Sequence, residues 1–349
     1  MAANVVGVDI GTRSVRAVEV KDAAKPRPTL VRYHEVALPP GAVQRGEVVE
    51  PHTVSTAVKR LWSEGKFSSK KVVLGMGNQR VLTRDFSVQR MSRERIRESL
   101  PYIVQDQLPF PVADALLDFY PVSEALTEHG PSINGLLIAA IRESVVGNVR
   151  AVEHGGLTAN GVDLVPFALA RLLAGSEQGS GTVGIVDIGA TATTVVIATN
   201  GVPQFVRIIA AGGDDLTETL SQRLEMSLDR AEEVKRLMGL RTHVTDPNDE
   251  EAMVVINETA NELLTSIRNT VGYFSSARPD APLERIAVTG GGAHLSGLPE
   301  ALGELTRLPV VHADPYLSVG LARGLNPDQL RASQSAIAVA LGLALGSAA

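Results

Sequence analysis

The chain of 349 residues is 44% hydrophobic and carries 33 Lys and Arg against 39 Asp and Glu, a formal net charge of −6. That length and apolar content suffice for a substantial core in two domains or lobes, and the acidic balance argues against nucleic-acid binding through a broad basic face. The absence of cysteine excludes disulfides, thiolate metal sites and cysteine nucleophiles.

In chain order, no secretory signal is visible, since residues 1–4 lead directly into a strand. "VVGVDIGTRSVRAVEV" (5–20) reads as strands at 5–11 and 14–21 joined by a tip of small and polar residues, a β-hairpin. A third strand is expected near 29–38. "PHTVSTAVKRLWSEG" (51–65) places Val54, Val58, Leu61 and Trp62 on one helical face. Residues 70–77 and 79–88 read as strands. From 89 to 160 the character changes: "MSRERIRESL" is a charged helix, "LPFPVADALLDFYPV" is punctuated by proline, and a strand and helix follow. This reads as a small inserted unit.

The opening then recurs. "TVGIVDIGATATTVVIATNG" (182–201) is again a strand, Asp-Ile-Gly, a hydroxyl cluster and a strand, after a polar connection "GSEQGSG" (175–181). Such a repeat implies two lobes with similar cores, each presenting the same turn. A long helical stretch is expected from 215 to 240, and another through "DPNDEEAMVVINETANELLTSIRNTVGYF" (246–274). "LERIAVTGGGAHLSGLPEAL" (283–302) is a strand, a triple-glycine turn and a helix start, and "LPVVHADP" is a further strand. The closing "AIAVALGLALGSAA" (336–349) is shorter than the roughly 20 residues that span a bilayer and has no basic residue to hold it at a membrane surface; it reads as a buried helix.

One Asp-Ile-Gly turn is ordinary, with its glycine needed only for the backbone. Two copies in the same setting point to a shared role. Phosphate is held by free backbone N–H groups, which side chains bulkier than those of Gly11, Thr12, Gly189 or Thr191 would obstruct. Two such hairpins facing each other would clamp a polyphosphate, with Asp9 and Asp187 holding Mg²⁺ through water, because that ion gives up its hydration shell reluctantly. The glycines Gly290, Gly291 and Gly292 form either a flexible turn or backbone lying flat against a nucleoside. Glu232, Lys235 and Arg236 share one helical face, which alone reads equally well as a solvated salt-bridge surface.

In this order along the chain, the motifs resemble the actin-like ATPase superfamily. The resemblance implies an α/β, two-lobed actin-like ATPase fold with a small subdomain inserted in the first lobe. It implies a lobe-one core at 1–88, the insert at 89–160, and a return with interlobe connection at 161–181. The second lobe would have its core at 182–213, a nucleotide-side helical subdomain at 214–282 and core with the adenosine motif at 283–325. A helix at 326–349 would return to the first lobe. ATP and Mg²⁺ are the implied cofactors. By the same resemblance Thr12 and Arg16 contact phosphates, Arg13 is a further cofactor-binding residue, and Gly212 and Gly213 of "AAGGDDLT" form the glycine pair before the lobe-two helix. Glu232, Lys235 and Arg236 touch ribose and adenine.

Within that superfamily "GNQRVLTRDFSV", "RESLPYIVQDQLPFPVADALLDFYPV", "GVDLVPFALAR" and the closing "ALGLAL" are similar to the PilM family of type IV pilus assembly proteins. The cell-division relative FtsA shares the insert, but its basic amphipathic C-terminal helix has no counterpart after Arg331. Pro101 departs from the family's unbroken helix and predicts a kink or a shorter helix. The resemblance implies a cytoplasmic protein, peripheral at the inner membrane through partners. Those partners are the N-terminal cytoplasmic peptide of PilN, held between the lobe-one core and the insert, and other pilus assembly proteins. Neither nucleic acid nor a direct membrane span is expected. Hydrolysis needs a group to orient or deprotonate water. Val165 stands where hydrolytic relatives place an acid, and Asp163 is the only, weak, catalytic candidate, so slow or negligible hydrolysis is expected. The alternatives are a filament-forming ATPase of the cell-division type and a small-molecule kinase.

Overall fold

The computed structural model describes residues 4–128, 130–241, 243 and 249–346. Residues 1–3, 242 and 244–248 of the helical region, and 347–349 of the closing apolar run therefore lie outside the described residues.

The first lobe is built on β1 (Val5–Ile10) and β2 (Ser14–Lys21), an antiparallel hairpin in which Asp9 lies opposite Arg16. β3 (Thr29–Ala37) extends the hairpin. A two-strand ribbon, β4 (Val43–Gln44) and β5 (Glu47–Val48), leads to α1 (Pro51–Gly65). The proline at the start of α1 suits a turn whose N–H groups lack helical partners, and Val54, Val58 and Leu61 are buried as their spacing predicts. β6 (Lys71–Met76) then lies parallel to β1.

The insert consists of β7 (Val81–Gln89), α2 (Arg93–Ile103), β8 (Ala115–Thr127) and β9 (Gly130–Ile141), with strand order β7-β9-β8. It therefore spans 81–141, not 89–160, because β7 pairs with β9 rather than with the first lobe's sheet. Ser92 caps α2, Ile96 and Leu100 are buried, and Pro101 sits in the last turn of a helix that stops two residues later. α3 (Arg142–His154) packs on α1, and β10 (Thr158–Leu164) runs parallel to β6, so both belong to the first lobe.

α4 (Val165–Leu173) is buried along most of its length and crosses to the second lobe. There β11 (Thr182–Ile188), β12 (Thr193–Thr199) and β13 (Val202–Ile209) repeat the opening hairpin and its extension. The expected single helix at 215–240 is two, α5 (Gly213–Arg223) and α6 (Leu228–Met238). Between them Glu225 takes a φ of 48°, outside the helical region, and Ser227 caps the new start. α7 (Glu250–Ala277), β14 (Arg285–Thr289), α8 (Leu298–Thr306) and β15 (Val310–His312) complete a sheet ordered β13-β12-β11-β14-β15.

β16 (Gly320–Leu321) pairs with β3, so the end of the 283–325 segment already belongs to the first sheet, ordered β10-β6-β1-β2-β3-β16. After α9 (Pro327–Ala332), α10 (Gln334–Leu345) lies against β1 and α4. Only glycine permits that approach: a Cβ on Gly7 would sit 2.1 Å from the Ala340 carbonyl oxygen. Each lobe has its own apolar core; a third core joins α4 and α10 to Leu136 and Ile138 of the insert and Val196 and Val206 of the second lobe. The two lobes and the insert thus share one hydrophobic hub. Among the described residues no helix is long and apolar enough to cross a membrane.

Candidate functional site

The two Asp-Ile-Gly hairpins fold alike and meet. In the first turn the Gly11 amide donates to the Ser14 carbonyl at 2.9 Å; in the second the Gly189 amide donates to the Ala192 carbonyl at 2.9 Å. The hydroxyls of Thr12 and Thr191, at the two tips, lie 3.1 Å apart. Among the described residues the turn amides of Thr12, Arg13, Ala190 and Thr191 have no protein acceptor, leaving donors at both tips for an anionic oxygen.

Behind the tips stand the two carboxylates, in unequal settings. Arg16 donates to Asp9 at 3.2 Å and to Glu35 at 2.9 Å, a cation shared by adjacent strands. Asp187 is flanked in register by Thr194 and Thr289 and is bonded to no cation among the described residues. The Thr289 hydroxyl beside it is buried with no hydrogen-bond partner among the described residues. Burial, then the negative charge of Asp9 across the cleft, pushes the Asp187 carboxyl up to about 7. Burial raises Asp9 as well, against the opposing pull of Arg16. No group of three or more His, Cys, Asp or Glu side chains gathers to hold a metal among the described residues. A cation between Asp9 and Asp187 would complete its shell with water and phosphate oxygens, which suits Mg²⁺.

The second lobe closes one wall. The Gly213 and Asp214 amides donate to the carbonyls of Gly189 and Ala190 at 2.9 and 2.7 Å, pinning the start of α5 to the second turn. A Cβ on Gly212 would lie 2.5 Å from the Ala190 oxygen, so this contact requires glycine. From α6, Lys235 donates to the Gly213 carbonyl at 2.8 Å, the Thr217 hydroxyl at 2.8 Å and Glu232 at 2.7 Å. Glu232 also accepts from Thr217 and Arg236, each at 2.7 Å. Arg13 reaches over from the first lobe to Asp214, at 3.0 Å through Nε, and to Glu232 at 3.3 Å. The face at Glu232 and Lys235 is therefore a largely buried network, while Arg236 is mostly exposed.

Burial acts to raise Glu232, but the hydrogen bonds from Lys235, Thr217 and Arg236 together hold it down at about 2. A carboxylate depressed by folding stabilises the protein above its unfolded value and loses that contribution as pH falls toward the folded one. Between pH 4.5 and about 2 this contribution to stability should disappear. Melting temperatures of the wild type and Glu232→Gln across pH 5 to 3 check this; the variant's should fall less steeply.

A second wall is the triple-glycine turn after β14. Cβ atoms on Gly290 and Gly292 would strike Asp187 at 2.4 Å and Ile188 at 2.3 Å, whereas Gly291 has nothing within 4 Å. The structure thus brings Asp9, Gly11, Thr12, Arg13, Arg16, Asp187, Gly189, Thr191, Gly212, Gly213, Glu232, Lys235, Arg236 and Gly290–Gly292 to one interlobe cleft.

Asp163 is not among them. It is ion-paired to Arg171 and accepts from the Leu164 amide at 2.7 Å. Sequence reasoning missed Asp214, Thr217 and Glu35. Asp214 follows the glycine pair in "GGDD", but acids at helix starts are common for reasons of the helix dipole. Glu35 meets Arg16 only through strand register.

A family model described as type IV pilus assembly protein PilM matches residues 7–348. The chain is similar to one from the solved PilM-PilN type IV pilus biogenesis complex, 27% identical over 99% of each chain with a TM-score of 0.86. The ethanolamine utilization protein EutJ from Carboxydothermus hydrogenoformans shares the fold, at 16% identity and a TM-score of 0.57 over 99% of this chain and 90% of that one. The cell division protein FtsA of Bacillus subtilis is 24% identical over 204 residues, 54% of this chain and 46% of the relative. The chain spans about half the length of the curated relatives it matches.

Proposed function

The chain belongs to the PilM family of type IV pilus assembly proteins, and from that premise we propose that it is an ATP-binding scaffold that takes the N-terminal cytoplasmic peptide of PilN. The observation that carries the nucleotide half is the meeting of the two hairpin tips at Thr12 and Thr191, with free turn amides and two carboxylates behind them. The tip residues and Arg16 would hold the phosphates, and Asp9 and Asp187 the hydrated Mg²⁺. Gly212, Gly213, Glu232, Lys235, Arg236 and the triple glycine would surround the nucleoside. Bound there, ATP with Mg²⁺ would supply negative charge and a divalent cation; the Thr12–Thr191 contact and the Arg13 ion pairs hold the two lobes' turns together.

A cavity of about 460 Å³ between the β4–β5 ribbon and α3 is the proposed peptide site. Arg80, Glu47, Glu143 and Arg150 line it together with Ile141 and Val48, offering charge and apolar contact to an extended segment. Asn78 fixes its wall by donating to the Gly46 carbonyl at 3.1 Å and the Ser144 hydroxyl at 3.0 Å. Such a partner would bring the protein to the inner face of the membrane.

Turnover is expected to be slow, well below the roughly 1 s⁻¹ at the low end of ordinary enzymes. Val165 is buried and aprotic, and Asp163 is committed to Arg171. Calorimetric titration of the purified protein with Mg-ATP and with a synthetic PilN N-terminal peptide tests the reading. Saturable binding of both is expected; binding of neither refutes it.

A further inference from the structure

This inference rests on the two-ligand reading and concerns how the two sites communicate. β13 ends three residues before Gly212, so it leads straight into the glycine pair pinned on the second hairpin. β7 begins at Val81, next to Arg80 in the wall of the peptide cavity. These two strands, one from each site, touch. The Thr83 hydroxyl donates to the Val206 carbonyl at 3.1 Å. Arg278, just past the end of α7, donates to Asp85 of β7 at 3.2 Å and to Gln204 of β13 at 3.1 Å. Its guanidinium also lies 5.9 Å from the centre of the Phe274 ring. Beneath the contact, Val206 shares an apolar core with Leu136 and Ile138 of β9, the strand that pairs with β7.

We propose that the β7–β13 contact, clamped by Arg278, is the element through which nucleotide in the cleft alters the peptide cavity. A shift of Gly212 and Gly213 on nucleotide binding moves β13, and Thr83, Asp85 and Arg278 carry that motion to β7. Thr83 bonds the two strands directly and Arg278 bridges them from the end of α7, so a relative slide strains all three contacts. Packed contacts of this kind hold discrete arrangements rather than deforming smoothly. Linkage requires the effect to be reciprocal.

The test measures peptide affinity with and without Mg-ATP in the full-length wild type and in Arg278→Gln and Thr83→Val/Asp85→Asn. Asp85 is largely exposed, so the latter variant tests the clamp with little risk to folding. In the wild type Mg-ATP should change peptide affinity by roughly fivefold or more. In the variants each ligand alone should bind within about twofold of wild type, and the ATP effect should shrink toward unity. Hydrogen exchange of the β7 amides should respond to Mg-ATP in the wild type and not in the variants. A wild-type ATP effect that persists undiminished in both variants overturns this inference alone, as does independent binding of the two ligands to the wild type. Failure of the wild type to bind ATP or peptide instead overturns the two-ligand reading and this inference with it.

Discussion

Asp187→Ala is expected to weaken Mg-ATP binding roughly a hundredfold, about 2.7 kcal/mol, while leaving the ligand-free fold intact. Among the described residues the carboxylate has no ion-pair or hydrogen-bond partner, and the pull of Arg16 offsets its burial only in part, so folding bears most of that cost. Its carboxyl is raised by folding from 3.8 to about 7, and a raised acid destabilises increasingly as pH climbs between those values. The ligand-free variant should therefore melt at or above the wild type, with the larger gain at pH 8 than at pH 5. Asp9→Ala is the contrasting case, because it strips Arg16 of a partner at 3.2 Å and should cost stability as well as binding. Titration calorimetry for affinity and thermal melts at two pH values separate these effects. A variant of Asp187 that bound Mg-ATP as the wild type does would remove the two-carboxylate clamp.

The largest effect on folding is expected at the hub. Gly342→Ala should lower unfolding free energy by about 2–3 kcal/mol. Alanine ordinarily improves a helix interior over glycine by about 1 kcal/mol, and the sign here is decided by space. The new Cβ would lie 2.2 Å from the Ala168 carbonyl oxygen, where α10 crosses α4. That neighbour is backbone inside a buried helix and has nowhere to move. Gly147→Ala in α3 is the control: its Cβ would have nothing within 4 Å, so the propensity gain should appear unopposed. Chemical denaturation of both variants measures the difference, and equal behaviour would contradict the packing argument.

Much of this was legible before the structure. The repeated V-D-I-G placed both carboxylates, because a strand that must end in a tight, uncluttered turn leaves few residue choices. The 51–65 helix buries Val54, Val58 and Leu61 as its apolar spacing predicts, with Trp62 only partly buried at the edge of that face. The insert's start was misplaced because "QRVLTRDFSV" alternates like any strand, and nothing local says which sheet it will join. Likewise "LSQRLEMSLDR" is helical in pattern on both sides of Glu225, and the break depends on one backbone angle.

What the sequence by itself determined is local: the twin turns, the glycines that allow backbone to approach, and the faces of individual helices, all set by side chains within a few residues of one another. What only the tertiary structure decided is pairing over distance. That Arg16 serves Asp9 and Glu35 while Asp187 pairs with no cation among the described residues, that Lys235 is buried rather than solvated, and that Asp163 turns to Arg171 all follow from strand register and lobe packing. Charge interactions fall off with distance and depend on burial, and neither quantity exists until the chain has closed on itself.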